Sequence, residues 1–531
     1  MGVTTISPTA PATARRSAGV AGVLAAALTL TVGHLVAAIV DPDASPFIAL
    51  GGAVVDATPA WLKDFAASTF GTADKTVLFV CMAAVVLGLA YGVGRLALTR
   101  PTAAAVCVVV LAGICGVAAM GRAGTGMLAW LPSLVGAGAG VIALRAMVET
   151  LRTPAALPDA DEDSTGAAPA QHGYATPDRR EFMRSATIVG VVAAASAIAG
   201  AIIGAARSTA QMARDLLDLP APATPAPPLP EGVQSATAGV GPFVTPNEDF
   251  YRIDTALIVP DVDPATWTLR VHGLVENEIE LNLDDILARD LVETRVTLTC
   301  VSNPVGGDLV GNALWLGLPI REVLAEAVPT ADADMVLSRS VDGFTASTPI
   351  EALTDDRDAI FAVAMNGEPL PVEHGFPVRM VVPGLYGYVS ATKWVVDLEV
   401  TRFADASAYW TERGWSERGP IKTASRIEVP RASAHVPAGE VAVGGTAWAQ
   451  HRGITKVEVQ VDDGPWEEAT LADEATVDTW RQWSWTWGDA EPGQHTLRCR
   501  ASDPDGVQTA TVAPVVPDGA SGWHTIYVYV D

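Results

Sequence analysis

The chain has 531 residues, 49% of them hydrophobic, and a formal net charge of −26, yet its mean hydropathy is positive at +0.28. Two or more domains are expected at this length, and the two signs coexist only if apolar and acidic parts are segregated. They are: nearly all long apolar runs precede residue 206 and the acidic residues concentrate after it, which argues against a nucleic-acid partner.

Met1–Ser17 is short and polar and contains Arg15-Arg16. Four apolar stretches follow, at about 18–40, 77–98, 103–120 and 126–148, each near the ~20 residues that cross a bilayer. Buried helices of a soluble protein are the alternative, but four runs this apolar, rich in Gly and Ala, read as a four-helix membrane domain over 1–150. Arg15, Arg16, Arg95, Arg100, Arg145 and Arg152 fall on one side, opposite the loop 41–76 with Lys63 and Lys75; Arg122 is an exception. The positive-inside rule then puts the N-terminus and residues 150–185 in the cytoplasm of a multi-pass protein of the cytoplasmic membrane. The apolar runs hold no dense charge, which weakens a transporter or sensor reading. They hold one histidine, His34, and no Cys-x-x-Cys-His site exists; Cys81, Cys107 and Cys115 are too few for a four-cysteine cluster. No haem is expected in this chain, so electrons would pass to an external carrier, a cytochrome or a membrane redox subunit. The membrane part, immersed in the lipid bilayer, then serves as an anchor or docking surface.

Residues 151–185 read as a cytoplasmic linker, polar and aperiodic over 151–178, where disorder is expected. It ends in Arg179-Arg180-Glu-Phe182-Met183 ahead of the apolar run 186–206. That motif resembles a twin-arginine export signal, which suits a protein that folds around a cofactor before export. Four preceding helices return the chain to the cytoplasm, as such a signal requires. The run is expected to stay as a fifth transmembrane helix, with cleavage near Ala205 as the alternative. Residues 207–240 contain Pro220, Pro222, Pro225, Pro227, Pro228 and Pro230, an extended spacer at ~3 Å per residue expected to lift an extracytoplasmic domain off the membrane.

A second domain is expected over 241–425. Trp267–Gly273 alternates as a strand, and Leu281–Ala288 and Ile320–Ala327 read as short helices. Val296, Leu298 and Cys300 alternate with Arg295, Thr297 and Thr299, and the strand stops at Ser302-Asn303-Pro304 with Gly306-Gly307 beyond. Cys300 at a strand end is a buried structural thiol, a nucleophile or a soft metal ligand. Arg379 lies in the apolar run from Val378 to Val382, where an unpaired charge is costly, so a bound anion is expected there.

Cys300-Val-Ser-Asn303, Trp315-Leu-Gly, Met365-Asn-Gly-Glu-Pro-Leu-Pro371, His374-Gly-Phe-Pro-Val-Arg379, Val382-Pro-Gly384 and Lys393-Trp394 together resemble the sulfite oxidase family of molybdenum enzymes, over roughly residues 240–531. The resemblance implies an α+β molybdopterin-binding domain in which Cys300 ligates molybdenum. It also implies oxygen-atom transfer to or from a small, sulfur-containing substrate. By the same resemblance Phe250, Tyr251 and Arg252 belong to a stretch that wraps the pterin. His374, Arg379, Ser390, Thr392 and Lys393 would hold it, the two cations suiting its phosphate. Asn303, Arg413 and Trp415 would line the substrate mouth. The chain departs from the family in three places: no arginine follows the Cys-x-x-Asn turn, Trp415 stands where a tyrosine is usual, and Asp254 stands where a histidine is. The Trp and the export motif also resemble bacterial periplasmic methionine-sulfoxide reductases, so sulfoxide reduction is the alternative activity.

Residues 426–531 contain the strand patterns Val441–Trp448, Val457–Val461 and His495–Ala501, separated by Asp-Gly turns, an all-β sandwich signature. The tryptophan-rich segments resemble the immunoglobulin-like dimerisation domain of sulfite oxidases, implying a homodimer through this part. His524 is expected to be structural. The expected architecture is therefore multi-domain: transmembrane helices, an α+β cofactor domain and an immunoglobulin-like β-sandwich. A cofactor-free, membrane-tethered binding protein is the rival from another class; Cys300, Arg379 and Lys393 together argue against it.

Overall fold

The computed structural model describes residues 12–59, 62, 65, 74–122, 125–152, 179–206 and 209–531. Of the linker expected to be disordered, 151–178, residues 151 and 152 close the helix Leu131–Arg152 and 153–178 lie outside the described residues. The chain divides into two units, at residues 1–208 and 209–531.

In the first unit the helices Ala12–Val40, Asp74–Thr99, Pro101–Met120, Leu131–Arg152 and Arg179–Ala206 follow the five apolar runs. Among the described residues five helices are long and apolar enough to cross a membrane. Arg179-Arg180 opens the last of them, so the export-type motif is helical rather than part of the linker. Helix Ala12–Val40 packs against three of the others. A side chain at Gly22 or Gly94 would collide with the backbone of the other, the close approach that small residues allow. The loop 41–76 carries a helix of its own, Pro46–Ala57; its 12 residues are too few to span a bilayer.

The second unit begins with the amphipathic helix Thr209–Leu216. The Pro-rich stretch after it is not a free spacer, contrary to expectation. Ala223 N–H donates to Leu291 O at 2.8 Å, Glu293 N–H donates to Thr224 O at 2.9 Å, and Thr224 bridges Val292 in parallel. Val292 opens an edge strand, and an edge leaves a row of donors and acceptors that an extended segment can cap. Val233, 6% exposed, anchors the strap further along.

Ten strands build the central part: β1 (Thr268–Gly273), β2 (Ile279–Asn282), β3 (Val292–Thr299), β4 (Val310–Pro319), β5 (Met335–Ser340), β6 (Thr345–Pro349), β7 (Ile360–Met365), β8 (Glu368–Pro369), β9 (Arg379–Val381) and β10 (Val395–Thr401). One sheet has the order β2-β1-β10-β5-β6, the other β3-β4-β7-β8 with β9 also paired to β7. The expected helices form at Leu283–Leu287 and Ile320–Ala327. The first is closed by an Asn282–Asp285 capping box. The second turns Ile320, Val323, Leu324 and Ala327 into the core, the i, i+3, i+4, i+7 stripe.

The C-terminal part pairs two sheets. In the first, β11 (Ala424–Val429), β13 (Gly439–Trp448), β17 (Arg481–Ala490) and β16 (Thr470–Leu471) stand in that order. In the second, β12 (His435–Val436), β20 (His524–Val530), β18 (Gly493–Asp503), β14 (Lys456–Val461) and β15 (Trp466–Glu468) follow one another, with β19 (Gly506–Val507) beside β18. Val443 and Trp483 of one share a core with Val457, Leu497 and Val528 of the other. Cys300 and Cys499 are free thiols, and Cys499 contacts Ser425 Oγ at 3.4 Å. The two parts interlock. Gln450 Nε2 donates to Thr297 O and Thr299 Oγ1 of β3, and Trp480 Nε1 donates to Phe243 O. The threonine face of β3 is thus buried against the C-terminal part.

Candidate active site

β3 ends at Thr299 and delivers Cys300 into a cavity of about 130 Å³. Its N–H donates to Leu309 O at 3.0 Å, and Asn303 closes the loop between them, with N–H to Cys300 O and Oδ1 accepting from Leu309 N–H, both at 3.0 Å. Asn303 therefore shapes the turn that presents Cys300 and lies outside the cavity lining. Gly306 takes φ +77°, and a Cβ there would strike the ring of His524. His524 Nδ1 accepts from Ile427 N–H at 2.9 Å. The sandwich thus braces the cysteine loop through a neutral imidazole, whose pKa burial pushes down to about 4.

Arg379 enters from β9 and is 5% exposed. Its guanidinium donates to His374 O at 3.1 Å and lies 5.2 Å from the Trp315 ring centre. No carboxylate pairs with it among the described residues, and burial pulls its pKa down to about 10. Lys393, 8% exposed, donates to Asp254 Oδ2 at 2.8 Å and to Glu373 O at 3.1 Å. Burial holds its pKa down at about 8 against the pull of Asp254. Gly375, at φ +114°, lets the two cations converge: a Cβ there would lie 2.9 Å from Arg379 Cβ and 3.2 Å from Lys393 Cβ. His374 is buried beside them, with Nε2 3.3 Å from Asn247 O, and burial followed by the two cations depresses its pKa to about 3. It stays a neutral polar contact at ordinary pH.

Phe250 and Tyr251 stack at 5.3 Å, and Phe250 meets Trp315 and His374 edge-on. Burial raises the Tyr251 pKa, so it remains a phenol. Burial also raises the Cys300 pKa, opposed by hydrogen bonds from Ser302. Phe250, Tyr251, Cys300, His374, Arg379 and Lys393 come together on one cavity, and Trp415 joins them. Four other expected residues lie outside the lining. Arg252 bonds Asp254 Oδ2 at 2.9 Å. Ser390 Oγ donates to Tyr386 O, and Thr392 Oγ1 pairs with Ser338 Oγ at 2.7 Å. Arg413 stacks 3.6 Å from the Tyr409 ring centre and donates to Tyr409 O. Sequence reading missed Ser302, Ser340, Tyr388 and the counter-ion role of Asp254; a serine in the Cys-x-Ser turn was the one signal on offer.

A molybdenum pterin fits these residues. A soft thiol stands at a cavity wall, and a buried guanidinium without a carboxylate stands nearby, with an ammonium drawn against it across a glycine. Among the described residues no group of three or more His, Cys, Asp or Glu side chains could hold a metal, so a metal on Cys300 would not be held by a cluster of such side chains.

Comparison with known proteins agrees. A family profile described as "Oxidoreductase molybdopterin binding domain" matches residues 256–410, which include Cys300, His374, Arg379 and Lys393. Human mitochondrial sulfite oxidase is 31% identical over 342 residues, 54% of this chain and 62% of that protein; the mouse protein is 30% identical over 341 residues with the same coverage. The chain thus spans 62% of the length of these relatives. The sulfane dehydrogenase SoxCD structure from Paracoccus pantotrophus matches at 22% identity and a TM-score of 0.47, over 55% of this chain and 82% of that one. A Bacillus subtilis oxidoreductase, YuiH, is 31% identical over 180 residues, and the match covers 33% of this chain and 87% of YuiH. With 87% of one relative matched at 31% identity and the molybdopterin-binding profile over residues 256–410, the chain belongs to the sulfite oxidase family of molybdopterin-binding oxidoreductases.

Proposed function

We propose that this protein is a membrane-anchored molybdenum-pterin oxidoreductase that transfers an oxygen atom to or from a small sulfur-containing substrate. The observation that carries the reading is Arg379, buried beside Cys300 and lacking a carboxylate partner among the described residues. When bound, the cofactor supplies two-electron chemistry coupled to oxygen transfer. Cys300 binds the metal as a thiolate, which metal coordination favours over the thiol. Arg379 and Lys393 hold the pterin phosphate. His374, neutral, offers a hydrogen bond without adding charge. Phe250, Tyr251 and Trp415 exclude water from the reacting face.

The five apolar helices serve as the anchor, and residues 241–531 lie outside the cytoplasmic membrane, delivered there by the Arg179-Arg180 motif. The chain carries no haem and passes electrons to an external carrier. The C-terminal sandwich is an immunoglobulin-like dimerisation domain. Metal and pterin analysis of the purified full-length chain tests the core reading: about one molybdenum per chain is expected, and a pure chain devoid of both sinks it. Protease applied to intact spheroplasts should remove the outer domain, and changing Arg179-Arg180 to Lys-Lys should abolish that cleavage by blocking export.

A further inference from the structure

The helix Thr209–Leu216 has three faces. Ala210, Ala213, Arg214 and Leu217, spaced i, i+3, i+4, i+7, turn inward. Ala210 is fully buried, and Ala213 and Leu217 pack against the core that holds Phe250, Trp315 and Phe376. Arg214 is clamped by Leu370 O and Glu368 Oε2, both at 3.0 Å. Where the helix opens, the Asp261 carboxylate accepts from Thr209 N–H at 3.1 Å and from Ala210 N–H at 2.8 Å. The rotation of the helix on the second unit is therefore fixed near both ends, and its outward residues stay outward.

Those outward residues form two stripes. Gln211 Nε2 donates to Asp215 Oδ1 at 2.8 Å, a polar i, i+4 pair. Beside it Met212, 53% exposed, and Leu216, 83% exposed, make an apolar i, i+4 pair. Exposed apolar residues scattered singly are ordinary. Here two share one stripe, and their place in the chain gives the stripe a partner. Only Arg207 and Ser208 separate Thr209 from Ala206, the last residue of the helix Arg179–Ala206. Two intervening residues keep Thr209 within about 11 Å of Ala206, and Leu216 lies roughly 10 Å further along the helix axis. A short helix with one face on protein, one apolar stripe and one polar stripe suits the boundary between acyl chains and water.

We propose that Met212 and Leu216 insert into the lipid headgroup boundary, so that the helix Thr209–Leu216 lies along the bilayer surface and seats the second unit there. This rests on the membrane-anchored reading above and adds where the second unit meets lipid. The seat is tied to the cavity. Asp261, which caps the helix, ends the segment from Phe250 in which Phe250, Tyr251, Ile253, Asp254 and Thr255 line the Cys300 cavity. The cavity is thus held near the bilayer surface instead of being lifted from it.

The test uses the full-length chain reconstituted in vesicles of phosphatidylcholine and phosphatidylglycerol. A benzophenone amino acid replaces Met212, Leu216, Asp215 or, on a long apolar helix, Ile142, which is 71% exposed. Irradiation followed by mass spectrometry reads the lipid adducts. Met212 and Leu216 should give several times the yield of Asp215. No lipid adduct at Met212 and Leu216, adducts there to a second copy or to the chain itself in place of lipid, or an equal yield at Asp215 would each overturn the proposal. Absence of lipid adducts at Ile142 would instead refute the membrane anchoring, so the two failures are told apart.

Discussion

Arg379 in the Cys300 cavity and Arg452 in the turn after β13 are both held inside the second unit, and they are satisfied in opposite ways. Arg452 donates to Asp503, a carboxylate 4% exposed, to Ile421 O and to Thr423 Oγ1; Arg500 and Lys456 likewise share Glu458. Among the described residues Arg379 has only backbone carbonyls and an aromatic ring. A buried ion pair is self-contained, and breaking it strands a charge. A buried cation that has no counter-ion keeps a standing desolvation cost, and a bound anion removes it. The buried cations of the C-terminal part are thus paired within the fold, whereas Arg379 keeps a charge that a bound anion would offset.

Cys300→Ser should have the largest effect: turnover lost outright with the fold retained, because a hydroxyl is a harder ligand than a thiolate. Steady-state turnover and near-ultraviolet circular dichroism check it, and normal turnover would remove the metal role. The contrast between the arginines is tested by a pair of variants in the cofactor-free chain. Arg452→Gln should cost about 3 kcal/mol in urea unfolding, since it leaves Asp503 unpaired. Arg379→Met should be neutral or stabilising by about 1 kcal/mol, while lowering the molybdenum bound per chain. If Arg379→Met were the more destabilising of the two, the comparison would collapse.

Gly306→Ala should cost about 1–3 kcal/mol, because φ +77° is strained for a residue with a Cβ and the His524 ring occupies its space. Melting temperature reads the cost, and an unchanged value would mean the brace on the cysteine loop is slack. The smallest effect is on pH dependence. His524 has its folded pKa lowered to about 4, against an unfolded value near ~6.5. Between those values the unfolded chain binds a proton that the folded chain refuses, so its contribution is present above about pH 6.5 and is lost as pH falls toward about 4. His524→Gln should flatten that part of the profile of urea midpoints; an equally steep slope would assign it to other groups, His374 among them.

Much of this protein was legible in its order of residues. The apolar runs mark the five long helices because an unbroken apolar stretch of that length carries its own helix signal, and their length and composition would suit a membrane. The period-two pattern before Cys300 marks β3, and Ile320–Ala327 carries a core stripe that locates its helix to the residue. The charge inside Val378–Val382 is legible as a buried arginine, and the structure leaves Arg379 5% exposed. Long-range closure decided the rest. The proline-rich stretch reads as free because its pattern contains no partner, and it is a strap because the edge of β3 needed one. Arg413 and Asn303 sit beside the right motif, but a side chain's neighbours depend on rotamer and packing: one stacks on Tyr409 and the other closes a turn. Ser340 and Trp415 stand 75 positions apart, and only folding brings them to the wall of one cavity, since no local pattern encodes a contact between distant segments.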